Sequence, residues 1–128
     1  MNTQAEKISD TEAEIMKVIW SKDTPVTYAE IRKAINRTFD WGSQVINTMV
    51  KRLVQKGVLR QEKKEVYYYS ALVTEDQYTE EKTKSFVQKV YQGDVKGLLL
   101  ALMKYDNITQ EDYEELKRYW ERGVKPNE

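Results

Sequence analysis

The stretch Trp41 to Gln61, WGSQVINTMVKRLVQKGVLRQ, holds no carboxylate yet carries Lys51, Arg52, Lys56 and Arg60, in a chain whose formal net charge is +0. Within it Val45, Ile46, Met49, Val50, Leu53 and Val54 recur at the spacing of one helix face, while Gln44, Asn47, Thr48, Lys51, Arg52 and Gln55 fall on the opposite face. An apolar back with a front of amides, a hydroxyl and cations suits the major groove of DNA, where such groups pair with base edges and phosphates. Gly57 is expected to end this helix, with Gly42 or Ser43 capping its start.

Downstream, Val58 to Glu62 reads as a strand, Lys63 to Glu65 as a charged turn, and Val66 to Leu72 as a second strand. Upstream, Ser9 with Glu12 forms an S-x-x-E capping box, opening a helix whose apolar stripe contains Ile15, Met16, Val18, Ile19 and Trp20. Ser21 to Pro25 is a break, and Val26 is placed in one short strand. Thr27 with Glu30 repeats the cap for a second helix that buries Ile31, Ala34 and Ile35. Arg37 to Asp40 then makes the turn into the third helix, which Trp41 is expected to anchor. Three helices followed by a hairpin is the winged-helix order, and Lys63 and Lys64 at the hairpin tip would lie against the sugar-phosphate backbone when the third helix is in the groove.

Composition narrows the function classes. The chain has 128 residues, 40% of them hydrophobic and 33% charged, with no cysteine and no histidine. That removes disulfides, thiolate and imidazole metal sites, and Cys or Ser-His nucleophile systems. The five glycines at positions 42, 57, 93, 97 and 123 form no phosphate-binding loop. The carboxylate pairs Glu80–Glu81 and Glu114–Glu115 diverge by about 100° on a helix and read as a solvated acidic face. No enzyme, cofactor or metal site is expected. With no run of 18 apolar residues and a polar Met1 to Lys7, a soluble, cytoplasmic chain without membrane insertion is expected.

The charge splits along the chain. Residues 1–73 hold 12 Lys and Arg against 9 Asp and Glu, a balance of +3, and residues 74–128 hold 9 against 12, a balance of −3. We therefore expect a DNA-binding domain over 1–73 and a helical dimerisation domain over 74–128, in a mostly α chain with a small β-hairpin. Thr74 with Gln77 caps a helix from about Glu75 to Tyr91, with Tyr78, Phe86, Val87, Val90 and Tyr91 mostly along one side. A helix over Val95 to Lys104 is apolar almost all round, which demands burial. Thr109 with Asp112 caps a last helix carrying Tyr113, Leu116, Tyr119 and Trp120. Three such short helices cannot enclose so many large side chains in a monomer, so a second copy of the chain is the simplest cover. Phe86, Val90, Leu98, Leu99, Leu102 and Leu116 are the candidate dimer surface.

Each feature has a plainer reading. The third helix could be a core helix with solvated polar residues, and two lysines at a turn are individually weak evidence. Of Tyr67, Tyr68 and Tyr69, which alternate across a strand, one or two belong to the core and none is assigned to recognition. The candidate DNA-contacting residues are Ser43, Gln44, Val45, Asn47, Thr48, Lys51, Arg52, Lys63 and Lys64. A winged-helix module that binds protein instead of an operator is the alternative of a different class.

Taken together, I-S-D-T-E-A-E-I-M-K-V-I-W (Ile8 to Trp20), D-W-x-x-x-x-I-x-T with R-L-V-x-K-G (Asp40 to Gly57), Y-Y-Y-S-A-L-V (Tyr67 to Val73) and F-V-Q-K-V-Y-Q-G (Phe86 to Gly93) resemble the penicillinase-repressor, or BlaI/MecI-type, family of winged-helix regulators. The resemblance runs from Ile8 to about Arg122. It implies a homodimer held by the C-terminal helices, two winged-helix heads on a palindromic operator, and repression of the operator's genes, with β-lactam resistance as one such class. It also implies induction by a membrane sensor-protease pathway that cleaves the repressor in its C-terminal half. Where those repressors begin the third helix S-P-K-T-I-R-T, this chain has G-S-Q-V-I-N-T, so Gln44, Val45 and Asn47 replace a cation, a hydroxyl and an arginine. Their scissile Asn-Phe pair aligns with Ala101-Leu102. The cysteine-rich tail of copper-responsive members has no counterpart here.

Overall fold

Side-chain oxygens start two of the helices of the N-terminal region. In a computed structural model, which describes residues 3–105 and 108–123, Ser9 Oγ accepts from the Glu12 amide at 3.1 Å and the Glu12 carboxylate accepts from the Ser9 amide at 3.0 Å. This box opens α2 (Asp10–Trp20), which follows a single turn, α1 (Thr3–Glu6). The α1 turn lies in a polar segment that carries no capping pattern or apolar stripe in the sequence. Thr27 and Glu30 make the same box for α3 (Tyr28–Ile35). The helix α4 (Ser43–Gln55) has Gly42 at its cap position, without a side-chain hydrogen bond there.

Gly57 closes α4 with φ +78°, a left-handed conformation that a side chain would strain. The Val58 amide reaches back to the Leu53 carbonyl at 2.9 Å and turns the chain into β2 (Leu59–Lys63). β3 (Tyr67–Ala71) returns antiparallel, pairing Gln61 with Tyr69 and Lys63 with Tyr67. The short strand β1 (Val26–Thr27) adds to the other edge of β3, pairing Val26 with Tyr69, so the sheet order is β1-β3-β2. Both hairpin strands keep to the expected places within a residue. Tyr69 is buried while Tyr67 faces out and Tyr68 is half-buried, the alternation a strand requires.

The core lies between the three helices and the sheet. Ile8, Ile15, Met16, Ile31, Ile46, Leu53 and Leu59 are fully buried, and Val26, Val50, Val58 and Val73 fill the gaps between them. Among the described residues one charged side chain is buried with them, Glu12, at 3% exposure. Lys56, at the end of α4, donates to the Glu12 carboxylate at 2.6 Å and to the Lys7 carbonyl at 2.9 Å. The same contacts bind the α1–α2 junction to the far end of α4. Lys56 is therefore a structural cation, which corrects its inclusion among the charges that point to phosphate.

The chain divides into two compact units, Met1–Lys84 and Ser85–Glu128. The first ends inside α5 (Glu75–Tyr91). Beyond the last strand, the Trp20 indole donates to the Val73 carbonyl at 2.8 Å and its ring lies 5.4 Å from that of Tyr78. Tyr78 accordingly packs on the N-terminal core and does not continue the apolar side of Phe86 and Val90. In the second unit α5 ends at Tyr91, Gly93 takes φ +85°, and Asp94 accepts from the Gly97 amide at 3.0 Å to start α6 (Val95–Tyr105). Thr109 and Asp112 form the expected box for α7 (Gln110–Glu121). Among the described residues of α5, α6 and α7 none is buried. The burial demanded of α6 is not met within one chain.

Burial by itself raises the Glu12 carboxyl, but the hydrogen bonds from Lys56 and Ser9 and the Lys56 charge outweigh it and hold the group below its ordinary value. A depressed carboxyl adds stability that is complete above the ordinary glutamate range and is lost as pH falls through the folded-state value. Urea unfolding of Lys56→Met should therefore show a loss of about 1–3 kcal/mol at neutral pH, the cost of a buried acceptor left without its donor. The deficit should shrink as the solution is acidified. A Lys56→Met protein as stable as the parent at neutral pH would refute the role given to the pair.

Candidate nucleic-acid interface

The two faces of α4 are set by which side chains the core takes. Ile46, Met49, Val50 and Leu53 are buried and Val54 is half-buried. Gln44, Asn47, Thr48, Lys51, Arg52 and Gln55 are all exposed, as their spacing predicts. Val45 is 50% exposed, which corrects its assignment to the apolar back. One residue before Ile46 is a rotation of about 100°, enough to carry Val45 out of the core and onto the polar front.

Among the described residues the side chains of Gln44, Asn47, Lys51 and Arg52 make no hydrogen bond or ion pair within the chain. They are available to another molecule. Thr48 differs: its hydroxyl donates to the Gln44 carbonyl at 2.8 Å, one turn back. What it offers outward is its methyl group and the oxygen's lone pairs. Ser43, exposed in the first turn, contributes its backbone carbonyl to a contact from another helix, since the Tyr28 hydroxyl donates to it at 2.7 Å.

That contact is one of three that orient the start of α4. Asn36, at the end of α3, donates from Nδ2 to the carbonyls of Phe39 at 3.1 Å and Trp41 at 3.0 Å. The rings of Phe39 and Trp41 stack with centroids 4.6 Å apart and planes 21° from parallel. Trp41 thus anchors the helix start by stacking and through its carbonyl. Sequence reasoning did not single out Tyr28 or Asn36. An Asn closing a helix before an aromatic turn was the available signal for Asn36; nothing in the spacing marked Tyr28, because its partner is a backbone atom 15 residues away.

The wing carries Lys63 and Lys64, both exposed. Lys63 Nζ lies 5.7 Å from the centroid of the Tyr67 ring, and Lys64 Nζ lies 5.7 Å from that of Tyr68. The Lys64 amide donates to the Val66 carbonyl at 3.0 Å and closes the turn. Val66 and Tyr67 are exposed at 52% and 43%. Between the first turn of α3, Asn47 of α4 and the wing lies a groove of about 530 Å³, lined by Tyr28, Lys63, Glu65, Val66, Tyr67 and Tyr69 among others. The structure therefore brings Asn47 of the helix and Lys63 of the wing to one groove.

In the second unit, the exposures of Phe86 (48%), Val90 (54%), Leu99 (53%), Leu102 (37%) and Leu116 (60%) leave these apolar side chains facing outward, with Leu98 half-buried. Val95, Leu100 and Met103 on α6 are equally exposed. Ala101 and Leu102 sit in the middle of α6, with helical backbone on both sides. Among the described residues no helix is long and apolar enough to cross a membrane.

Comparison with known proteins gives this geometry a context. Solution structures of the DNA-binding domain of the repressor BlaI, and of monomeric Bacillus licheniformis BlaI in complex with the blaP half-operator, superpose with TM-scores of 0.52 and 0.50 at 37% and 38% identity. Each covers 56% of this chain, and this chain covers 88% and 87% of theirs. The penicillinase repressor of Bacillus licheniformis is 35% identical over 111 residues, 86% of either chain. The methicillin resistance regulatory protein MecI of Staphylococcus aureus is 30% identical over 118 residues, 91% of this chain and 95% of that one. The penicillinase repressor of Staphylococcus aureus is 33% identical over 117 residues, 91% of each. With the penicillinase repressor family pattern matching residues 8–122 as well, the chain belongs to the penicillinase repressor family, a family of transcriptional repressors and not of enzymes.

Proposed function

We propose that this protein is a dimeric repressor that binds a palindromic operator in the cytoplasm, with α4 in the major groove and the wing against the backbone. The observation that carries the reading is the outer face of α4, where two amides and two cations stand exposed and unspent beside a lysine-tipped hairpin. The relative solved on a half-operator supports it. The relatives named for penicillinase and methicillin-resistance control make β-lactam-resistance genes the class to test first.

Gln44 and Asn47 are assigned to base readout, because a side-chain amide pairs bidentately with adenine. Ser43, Val45 and Thr48 line the same turn of the helix and contribute shape and methyl contacts. Lys51, Arg52, Lys63 and Lys64 neutralise phosphates. The apolar excess of Phe86, Val90, Leu98, Leu99, Leu102 and Leu116 supports dimerisation, since a patch of this kind is costly to leave in water. Two heads on one duplex convert two weak contacts into a single tight one.

Band-shift titrations with the DNA upstream of its own gene should give a salt-dependent affinity. Lys63→Ala or Lys64→Ala should weaken binding to every sequence and reduce the log-log salt slope by about 0.9. Asn47→Ala or Gln44→Ala should instead relax base preference, with about 1–3 kcal/mol lost on the preferred site. An amide variant that keeps the parent's sequence preference does not belong to the readout.

Sedimentation of the full chain at micromolar concentration should give a dimer, and a chain ended after Lys84 should be a folded monomer that holds a half-site weakly. A monomeric full-length protein would overturn the dimer assignment.

For induction, we propose that a sensor-protease pathway cuts α6 at Ala101-Leu102, which removes dimer packing and uncouples the heads. Helical backbone must open locally before a protease can take it. Mass spectrometry of the protein from induced cells should then find fragments ending at Ala101. Intact protein that leaves its operator on induction would exclude this route.

A further inference from the structure

The residues that lead from the sheet into α5 form a joint that has no part in the candidate DNA face. Val73 is fully buried, and its carbonyl accepts from the Trp20 indole at 2.8 Å. One residue on, Thr74 caps α5: its hydroxyl oxygen accepts from the Gln77 amide at 3.0 Å, and the Gln77 side chain accepts from the Thr74 amide at 2.9 Å. Tyr78, in the first turn of α5, lays its half-buried ring against the Trp20 ring, with centroids 5.4 Å apart. A turn later Lys82 holds its ammonium 5.6 Å from the Tyr78 ring centroid and 3.6 Å from the Asp10 carboxylate. Asp10 and Trp20 are the two ends of α2, so the first turns of α5 are held to that one helix at two separate points.

A helix held at one point can swing about it, whereas two points along its length fix its direction. The Asp10 side chain is 96% exposed, so its pair with Lys82 is a weak tie. The aromatic contact, which removes ring surface from water, is the stronger one. Between Glu75 and Tyr91 the helix has no glycine or proline at which to bend, and it carries Phe86 and Val90 of the proposed dimer surface. We propose that Tyr78, seated on Trp20, is a positioning residue for operator binding: by fixing the direction in which α5 leaves the head, it restricts the dimer to one separation and phase of its two half-sites. This rests on the dimeric-repressor reading given above and adds to it a determinant of site spacing that touches no DNA. Without the contact the two heads hang on loose tethers, and the second head finds its half-site at lower effective concentration but over a wider range of separations.

The test uses the full-length protein and the site it protects upstream of its own gene, on duplexes in which the two halves are moved apart one base pair at a time and on a duplex holding one half alone. The parent should favour one spacing, with affinity about tenfold or more lower when half a helical turn is inserted. Tyr78→Ala should remain a dimer in sedimentation and bind the single half as the parent does, yet lose about tenfold on the natural spacing and hold the other spacings nearly alike. Tyr78→Phe, which keeps the ring, should reproduce the parent. Insertion of one alanine after Lys84 leaves the joint untouched and turns the rest of α5 by about 100°. It should move the preferred spacing, which keeps the proposal open to refutation if Tyr78→Ala does not fold. A parental spacing profile in a folded Tyr78→Ala protein or in the insertion variant would overturn the proposal, as would a Tyr78→Ala loss that is equal on the single half, the mark of a damaged head. A parent that is monomeric or binds no paired site fails the dimer reading itself; a dimeric parent that takes every spacing alike fails only the positioning role.

Discussion

A helix of thirteen residues that holds to its own domain by one side and leaves the other side exposed has little surface to spare, and α4 is such a helix. Four side chains, Ile46, Met49, Val50 and Leu53, do the holding. Burying each contributes on the order of 1.5–3 kcal/mol, which is ample to fix rotation about the helix axis but not to fix the ends. The ends are fixed by polar contacts. Lys56 ties the last turn to Glu12 and Lys7, and Tyr28 and Asn36 tie the first turn and the turn before it to α3. Every outward residue of α4 inherits its direction from those few contacts.

Periodicity made the inner face legible in the sequence. The capping boxes at Ser9, Thr27 and Thr109, the left-handed turn at Gly57 and the hairpin were equally readable, because each depends on residues within a few positions of one another. Val45 escaped because an apolar residue beside an apolar stripe cannot be assigned by type; only the helix phase decides, and the phase follows from which neighbours fill the core. Lys56 escaped for a related reason. A lysine in a carboxylate-free stretch looks available until the fold brings a glutamate 44 residues away to within 2.6 Å of it. The charge that points to phosphate is correspondingly smaller than the stretch suggests, and it is carried by Lys51, Arg52 and Arg60 with the lysines of the wing.

The second unit presents the opposite problem. Its helices are well capped and strongly patterned, so they form as expected, yet α6 remains apolar and uncovered within a single chain. An apolar helix face left in water is costly, and that cost is the ground for the dimer proposed above.

The side chains that orient α4 and those that face outward from it are different residues. Gln44 and Asn47 take no part in the core, in the Asn36 clamp or in the Glu12–Lys56 pair. Exposed positions without partners tolerate substitution within about 0.5 kcal/mol of stability. A lineage could therefore exchange the amides of the outer face, one at a time, without passing through an unstable intermediate. The helix is held in one orientation while the chemistry it displays is free to drift, so one scaffold can acquire new targets faster than it could acquire a new fold.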